Sequence, residues 1–375
     1  MARHVDLGIF IPIGNNGWII SETAPQYSPT WELNRDVTIA AERLGYDYVF
    51  SMVKWRGFDG ATKHWNYTLE SLSLMSALAA VTQRIRLVAS VQPLLIPPAV
   101  AAKMGTTIDQ ISNGRFGMNV VAGTYFDEYA QMGLLPDGYP DYRYDYAQEW
   151  VQLVKRLWQE ESVTHHGQYF QLEDCRSDPK PVQAPHPAIV CAGTSPRGLA
   201  FTAEEGTDAF IAAQTFDSIK QYSREVKAKA EEFGRQLRTN TVLIIVEADT
   251  DAEAESIVEG FRAGADAEAL SNVFQTYSKD SGGTSSKMLM EMARQSVFYG
   301  VLLAGSHDTI ADTIADLVVD GQLDGVMLSF PDYLAGTELF AREVFPRLRE
   351  RGLELSSAGD MTPSSDIIVD SHAAA

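Results

Sequence analysis

Short apolar runs alternate along the chain with longer segments in which apolar residues recur every three or four positions. The runs are typical of strands that are buried on both faces, and the longer segments are typical of amphipathic helices. Strands are predicted at residues 5–13, 47–53, 85–91, 115–121, 188–192, 208–213, 241–246 and 325–330. Because helical segments separate these strands, the pattern predicts a parallel sheet with crossover helices.

Residues with special backbone preferences mark several predicted helix ends. Asn113 and Gly114 tolerate positive φ, so the chain is expected to reverse there before the fourth strand begins. Ser28 followed by Pro29 is typical of a helix N-cap and its first residue, and Gly45 is typical of the stop of the same helix. These signals support the alternation of helices and strands.

Eight strand–helix units predict a (β/α)8 TIM barrel with loop insertions, formed by residues 1–355 as a single domain. Segments that do not fit the repeat predict insertions at about 124–187 and 265–304, and the polar run 278–287 is expected to be flexible. Residues 356–375 lose periodicity and are expected to form a loose tail. An open doubly wound sheet is the alternative, although no G-x-G-x-x-G motif follows the first strand.

Charge narrows the possible partners. The 375 residues include 50 Asp and Glu against 30 Lys and Arg, which gives a net charge of −20. This charge repels nucleic acid and anionic membranes, so neither is expected as a partner. A phosphate-bearing ligand would need local donors such as a helix N-terminus, Arg or Tyr.

The numbers and spacing of cysteine and histidine argue against a disulfide-stabilised protein and against a metalloprotein. Cys175 and Cys191 are too few for a disulfide framework, and the seven histidines have no metal-ligand spacing, so no metal is expected. The N-terminal residues contain no long apolar signal, and no window reaches the ~20 apolar residues that a membrane helix needs. A cytoplasmic location is therefore expected.

In a barrel of this kind the functional site lies at the C-terminal ends of the strands. Asn119 interrupts the apolar run of the fourth strand, and a buried amide is costly unless it is hydrogen-bonded. It is either a satisfied core side chain or a ligand contact at the mouth of the barrel. Lys54, at the end of the second strand, is likewise either solvated or directed at a ligand.

Gly193 and Ser195 follow the fifth strand and are the most specific candidates for ligand binding. Gly193 allows close backbone approach, and the helix that opens at Ser195 presents unpaired N–H groups at the positive end of its dipole. This combination binds phosphate, although Ser195 is equally typical of an ordinary N-cap. Arg143 and Tyr144 are further candidate donors. Without a G-x-S-x-G or H-E-x-x-H motif, the pattern predicts a phosphate-bearing ligand and leaves the chemistry open.

Seven motifs carry a resemblance to a known family. They are FIPIGNNGWIIS (10–21), PQYSPTWELN (25–34), SMVKWRGFDG (51–60), TIDQISNGRFGMNVVAG (107–123), EYAQMG (128–133), RYDY (143–146) and VCAGTS (190–195). From about residue 7 to residue 345 the chain resembles the luciferase-like, FMN-dependent monooxygenases, and most of all those that oxygenate a pyrimidine ring.

The resemblance implies a luciferase-like TIM barrel that uses reduced FMN (FMNH2) and O2, with the flavin reduced by a separate NAD(P)H:flavin reductase. It implies oxygen-side roles for Asn119 and Ser90, the two candidate catalytic residues. The candidate FMN-binding residues are Val53, Lys54, Ser90, Asn119, Glu128, Arg143, Tyr144, Gly193 and Ser195. A homo-oligomer, either a dimer or a tetramer, is also implied.

Departures from the family pattern cluster at the expected substrate pocket, whose candidate residues are Trp18, Tyr67, Gln92 and Thr124. They leave flavin binding intact, and they are compatible with three classes of small substrate: a pyrimidine ring of the uracil type, a halogenated aromatic or a sulfone. A deazaflavin-dependent dehydrogenase on the same barrel is an alternative enzyme. A flavin-binding protein without catalytic activity is the alternative outside enzymes.

Overall fold

A computed structural model describes residues 3–280 and 283–356. The predicted tail lies outside the described residues from position 357 onward, and so do residues 281 and 282 of the polar run that was expected to be flexible.

The strands are β1 (Arg3–His4), β2 (Asp6–Phe10), β3 (Tyr48–Phe50), β4 (Arg86–Val91), β5 (Phe116–Val120), β6 (Val163–His166), β7 (Gln171–Cys175), β8 (Ala188–Cys191), β9 (Asp208–Ile211), β10 (Arg238–Ala248), β11 (Val301–Ser306), β12 (Gly325–Ser329) and β13 (Leu353–Glu354). The helices are α1 (Trp31–Leu44), α2 (Ser71–Val81), α3 (Pro98–Ser112), α4 (Phe126–Ala130), α5 (Tyr139–Gln159), α6 (Pro196–Glu205), α7 (Phe216–Glu232), α8 (Asp251–Ala263), α9 (Ala267–Ser278), α10 (Thr284–Gln295), α11 (His307–Val319) and α12 (Tyr333–Glu350).

Eight parallel strands close into a ring. They pair in the order β2, β3, β4, β5, β8, β9, β10 and β12, and β12 pairs with β2 to complete the circle. These are the eight strands that the apolar runs predicted, so the TIM barrel is confirmed and the open doubly wound sheet is wrong. The strand β11 was not predicted, and it pairs with residues 243–248 at the C-terminal end of β10.

The barrel interior is an apolar cluster drawn from strands on all sides of the ring. Phe10, Phe50, Val88, Val190 and Met327 belong to five different strands, yet they form one buried cluster. Because side chains alternate between the two faces of a strand, the residues two positions further along each strand also face inward. These inward-facing positions form the inward stripe of each strand, and they place polar side chains in the upper layer of the barrel.

The helix ends follow the predicted turn chemistry at two of three places. Helix α3 ends at Asn113 with φ 56°, and Gly114 follows with φ 81°, as the sequence predicted. Gly45 ends α1 with φ 90°, also as predicted. The predicted start of α1 at Ser28 is wrong, because the hydroxyl of Thr30 accepts the N–H of the third helical residue at 3.2 Å and caps the helix there.

Ion pairs occupy the opposite, N-terminal end of the barrel. Burial opposes ionisation of Asp6, but Arg86 and Arg238 pair with it and hold the pKa of this carboxyl well below its usual range. Candidate metal-ligating atoms of His4, Asp6 and Asp47 lie within 4.8 Å of one another at this end. Because the two arginines already neutralise the cluster, it stabilises the fold at the end of a barrel where stability residues concentrate.

Two segments extend beyond the barrel. The antiparallel hairpin β6–β7 precedes β8, and the helices α9 and α10 precede β11. Within residues 3–280 and 283–356, no helix is both long and apolar enough to cross a membrane.

Candidate functional site

Ser90 and Asn119 face each other at the C-terminal ends of β4 and β5. They are directly paired across the two strands, and the Asn119 amide Nδ2 donates to Ser90 Oγ at 2.8 Å. Ser90 stands two positions after Val88 on the inward stripe, so the pair lies in the upper layer of the barrel. Asn119 Oδ1 is buried and has no hydrogen-bond partner among the described residues. The amide is therefore only half satisfied by the protein.

A chain of hydroxyl groups fixes Ser90 in place. Its Oγ donates to the Ser51 carbonyl oxygen at 2.5 Å, and its N–H donates to Ser71 Oγ at 2.8 Å. Ser51 Oγ and Ser71 Oγ are themselves 2.6 Å apart. Since the Ser90 proton is used by Ser51, its oxygen is left to accept from Asn119, and the orientation of the amide is set.

Lys54, in the loop four residues after β3, is only 9% exposed, so the solvated alternative is wrong. Its ammonium nitrogen lies 4.0 Å from the ring centroid of Tyr125, 4.5 Å from that of Phe58 and 5.5 Å from that of Trp65. Burial lowers the pKa of Lys54, and the nearby Glu128 carboxylate partly opposes the shift. The side chain is a buried cation held by aromatic faces and one carboxylate.

Glu128 joins three segments of the site. One carboxylate oxygen accepts the Trp55 N–H at 2.8 Å and lies 3.6 Å from Lys54 Nζ. The other oxygen accepts from Gln92 Nε2 at 3.0 Å. Gln92 is 3% exposed, and its Oε1 has no hydrogen-bond partner among the described residues. The site therefore presents a second buried carbonyl oxygen without a partner among the described residues, just after β4, the strand next to β5 with Asn119.

A tight backbone contact marks the candidate phosphate site at the start of α6. A Cβ placed on Gly193 would lie 2.5 Å from Gly198 Cα, and one on Gly198 would lie 2.8 Å from the Tyr144 hydroxyl oxygen. Ser195 is the N-cap of α6 and accepts the Gly198 N–H at 3.1 Å. The ordinary N-cap interpretation of Ser195 is thus correct, and phosphate binding at the same helix end remains a prediction.

Arg143 is buried on α5, next in sequence to Tyr144. Its Nη1 lies 3.0 Å from Asp280 Oδ2, which also accepts from Ser286 Oγ at 2.8 Å. Its Nε is buried without a partner among the described residues, and its guanidinium carbon lies 5.4 Å from the Tyr144 ring centroid. The pairing with Asp280, from the segment between α9 and α10, was not foreseen from the sequence.

The register of the sheet brings the two ends of the candidate site together. β5 and β8 are neighbours, with Asn119 opposite Val190, and Ser195 follows β8 by four residues. Both positions therefore lie at the same end of adjacent strands.

The remaining predicted positions are less enclosed. Val53 and Thr124 are half-buried in the loops after β3 and β5. Trp18 is half-buried and packs edge-on against Phe10, with ring centroids 4.8 Å apart. The side chain of Tyr67 is directed outward, since this residue is 53% exposed.

The sequence interpretation missed the aromatic wall around Lys54. Phe58 stacks on Tyr125 with centroids 5.3 Å apart, and the buried His64 stacks on Trp65 at 5.0 Å. Burial lowers the pKa of His64 to about 3, so this ring is neutral near pH 7. The density of aromatic residues in the loop after β3 was a usable signal, because a polar surface loop rarely carries so many.

A family model described as "Luciferase-like monooxygenase" matches residues 5–324. The chain belongs to this luciferase-like monooxygenase family. The catalytic class follows from that membership, so this protein is an enzyme of the monooxygenase type and the non-enzymatic alternative is set aside.

Curated relatives of this luciferase-like monooxygenase include "Pyrimidine monooxygenase RutA" of Methylorubrum extorquens, which is 41% identical over 92% of this chain and 94% of the relative. The protein of the same name from Acinetobacter baylyi is 37% identical over 95% of this chain and 98% of the relative.

Solved structures share the fold of this luciferase-like monooxygenase at low sequence identity. The riboflavin lyase RcaE, solved with modified FMN and riboflavin, superposes with a TM-score of 0.83 at 22% identity, covering 96% of this chain and 94% of that one. The long-chain alkane monooxygenase LadA superposes with a TM-score of 0.81 at 19% identity, covering 98% and 97%. At these identities the likeness supports the fold alone.

Proposed function

We propose that this luciferase-like monooxygenase uses reduced FMN and O2 to oxygenate a pyrimidine ring of the uracil type. The relatives that are 37–41% identical over nearly the whole chain carry the name pyrimidine monooxygenase. The observation that carries the proposal is the Ser90–Asn119 pair, which leaves one buried amide oxygen aimed into the mouth of the barrel.

Three features of the site fit a bound FMN. The unpaired Asn119 Oδ1 fits a ring N–H of reduced FMN, since the reduced flavin ring carries more than one such donor. The Gly193–Gly198 contact leaves the backbone bare beside a helix N-terminus, which suits a phosphate. The buried and unpaired Arg143 Nε adds a cationic donor at the same end.

When bound, reduced FMN would supply the two electrons that activate O2 for insertion into the substrate. The protein positions the flavin and the substrate, and it excludes water from them. Ser90 fixes the Asn119 amide, and the aromatic residues around Lys54 exclude water from that side chain. Lys54 and Glu128 would line the flavin, with Val53, and Tyr144 and Ser195 would hold its phosphate end.

The proposal extends to partners. FMN has to be reduced elsewhere, so we infer a separate NAD(P)H:flavin reductase as the partner enzyme. A homo-oligomer and a cytoplasmic location remain predictions from the sequence.

The direct test combines the purified chain with FMN, NADH, a flavin reductase and uracil under air. We expect a uracil-derived product that contains one oxygen atom from labelled O2, and no product under nitrogen. A panel with halogenated aromatics and small sulfones reports the other candidate substrates. Absence of product from every pyrimidine in the panel would overturn the proposal, even if an aromatic or a sulfone reacts. Deazaflavin binding with oxygen-independent hydride transfer would favour the dehydrogenase instead.

A further inference from the structure

The amide of Gln92 has a fixed orientation. Its Nε2 lies 3.0 Å from a carboxylate oxygen of Glu128. An ionised carboxylate has no proton to donate, so it can only accept a hydrogen bond. The NH2 group must therefore face Glu128. The other end of the amide, Oε1, is turned away from the carboxylate and is buried without a partner among the described residues.

An unpaired buried carbonyl oxygen is costly in the free protein. Gln92 is 3% exposed and follows β4 by one residue, on the same inward stripe as Ser90. Because Gln92 follows β4 at the mouth of the barrel, a bound molecule there with an N–H group would satisfy this oxygen. A halogenated aromatic or a sulfone has no such donor.

A hydrogen-bond donor stands on the other side of the same carboxylate. Lys54 Nζ lies 3.6 Å from Glu128 Oε1, and the rings of Tyr125 and Phe58 take up much of its remaining surface. Glu128 thus contacts two groups through its two carboxylate oxygens: Gln92, whose Oε1 is left as an acceptor, and Lys54, a cationic donor. Their complement is a molecule in which a ring N–H stands next to a ring carbonyl.

We propose that Gln92 and Lys54, positioned by Glu128, recognise the lactam edge of a ring, with Gln92 Oε1 accepting the ring N–H and Lys54 donating to the adjacent carbonyl. This inference rests on the proposed function, since it names the chemical class of ligand that the same site selects. Two ligands have such an edge: a pyrimidinedione substrate and the flavin ring itself. The shared chemistry is the –CO–NH– unit, and the experiment separates the two sources.

The test replaces Gln92 by methionine, which keeps the length of the side chain and removes the acceptor. In the first arm, the chain loaded with oxidised FMN is titrated with uracil and with 1,3-dimethyluracil, and binding is measured by calorimetry without turnover. In the second arm, the flavin-free chain is titrated with FMN and with 3-methyl-FMN. Methylation removes the ring N–H, so the ratio of the two affinities reports the contact with Gln92 directly.

We expect the wild-type chain to prefer the N–H form by roughly tenfold to a hundredfold in one arm, and Gln92→Met to lose that preference. Loss in the first arm assigns the edge to the substrate, and loss in the second assigns it to the flavin. A wild-type chain without preference in either arm, or a variant that keeps the wild-type preference, would overturn the inference.

Gln110→Met is the matched control, because Gln110 is exposed and its amide donates to a backbone carbonyl far from the barrel mouth. Its affinities and its thermal midpoint should equal those of the wild type. Thermal midpoints of both variants show whether the fold is kept. Because binding is measured with oxidised flavin, the result stands whether or not the chain oxygenates uracil, so a failure of this inference is distinguishable from a failure of the proposed function.

Discussion

At the scale of single residues, the Asn119 amide is the group whose removal should separate catalysis from folding. Asn119→Ala removes the buried Oδ1 and leaves Ser90 fixed by Ser51 and Ser71. We expect a folded protein with moderately weaker FMN binding and oxygenation reduced on the order of 10²–10³-fold, the usual effect of deleting one fixed group at a developing charge.

The measurement is single-turnover oxygenation with pre-reduced FMN, alongside a flavin titration and a thermal melt. Ser76→Ala provides the control, because this half-buried hydroxyl donates within α2 to the Leu72 carbonyl and stands apart from the proposed site. Full oxygenation activity in Asn119→Ala would remove this residue from the mechanism.

Individual side chains were the least predictable part of the site. The sequence located Ser90, Asn119 and Ser195 at strand ends, because strand order alone decides which positions share the mouth of the barrel. It left Lys54 undecided, because burial of a lysine depends on aromatic partners 4 to 71 residues away in the chain, such as Phe58 and Tyr125. Such contacts are made by tertiary packing and leave no local signature.

At the scale of elements, the upper end of β10 carries a buried carboxyl group with an unusual titration. The Glu247 side chain is 5% exposed, both of its oxygens lack hydrogen-bond partners among the described residues, and His307 Nε2 lies 3.8 Å away. Burial raises the pKa of Glu247 to about 8, the charge of Glu343 on α12 adds to the shift, and Arg342 opposes it. The carboxyl is therefore protonated in the folded chain near neutral pH.

This titration predicts a pH-dependent stability. Between the ordinary pKa of 4.5 and about 8, the folded chain keeps a proton that the unfolded chain has lost, so the free energy of unfolding falls as the pH rises. Glu247→Gln removes this decrease in the free energy of unfolding. The decrease approaches at most about 1.4 kcal/mol per pH unit. We expect the stability of the variant relative to the wild type to be higher at pH 8.5 than at pH 5, as measured by urea unfolding.

Glu231→Gln, at an exposed position of α7, is the control for the loss of one negative charge. A stability difference between Glu247→Gln and the wild type that stays constant from pH 5 to pH 8.5 would contradict the prediction.

Regular elements were predictable where local signals agree with the tertiary structure. The eight barrel strands, Gly45 and Asn113 were all visible in the sequence. The strand β11 was missed because, within the described residues, it pairs only with the extended end of β10, and its neighbours form an insertion without the barrel period. The start of α1 was misplaced because Ser28 and Thr30 carry equivalent capping hydroxyls, and only the local fold selects between them.

At the scale of the whole molecule, the segment between α9 and α10 is tied to the barrel through Arg143. The carboxylate of Asp280 pairs with this guanidinium at 3.0 Å, and both side chains are largely buried. If Arg143 binds the phosphate of FMN, Asp280 competes with that phosphate for the Arg143 guanidinium. We expect Asp280→Asn to tighten FMN binding by about three- to tenfold, on the order of 1 kcal/mol for one charged hydrogen bond.

Fluorescence titration with FMN and with riboflavin measures this effect, since riboflavin lacks the phosphate and its affinity should stay constant. Asp127→Asn serves as the control, because Asp127 pairs with Lys279 in the same segment and leaves Arg143 intact. Weaker FMN binding in Asp280→Asn would mean that Asp280 orients Arg143 for the ligand and does not compete with it.

Global architecture was the most predictable property of this chain. Alternating strand and helix periods dictate a parallel sheet, and eight such units in one chain favour closure into a ring. The pairing of the α9–α10 segment with α5 was out of reach, because Asp280 and Arg143 are 137 positions apart and each resembles a solvated surface charge.

The contacts of Glu128 with Trp55, Lys54 and Gln92 have a consequence for how such enzymes diverge. Three loops that follow different strands share a single anion, so a substitution in any one of them disturbs the other two. New specificities on this scaffold should therefore arise through coordinated sets of changes, and laboratory libraries that vary these loops one at a time should yield mostly inactive enzymes.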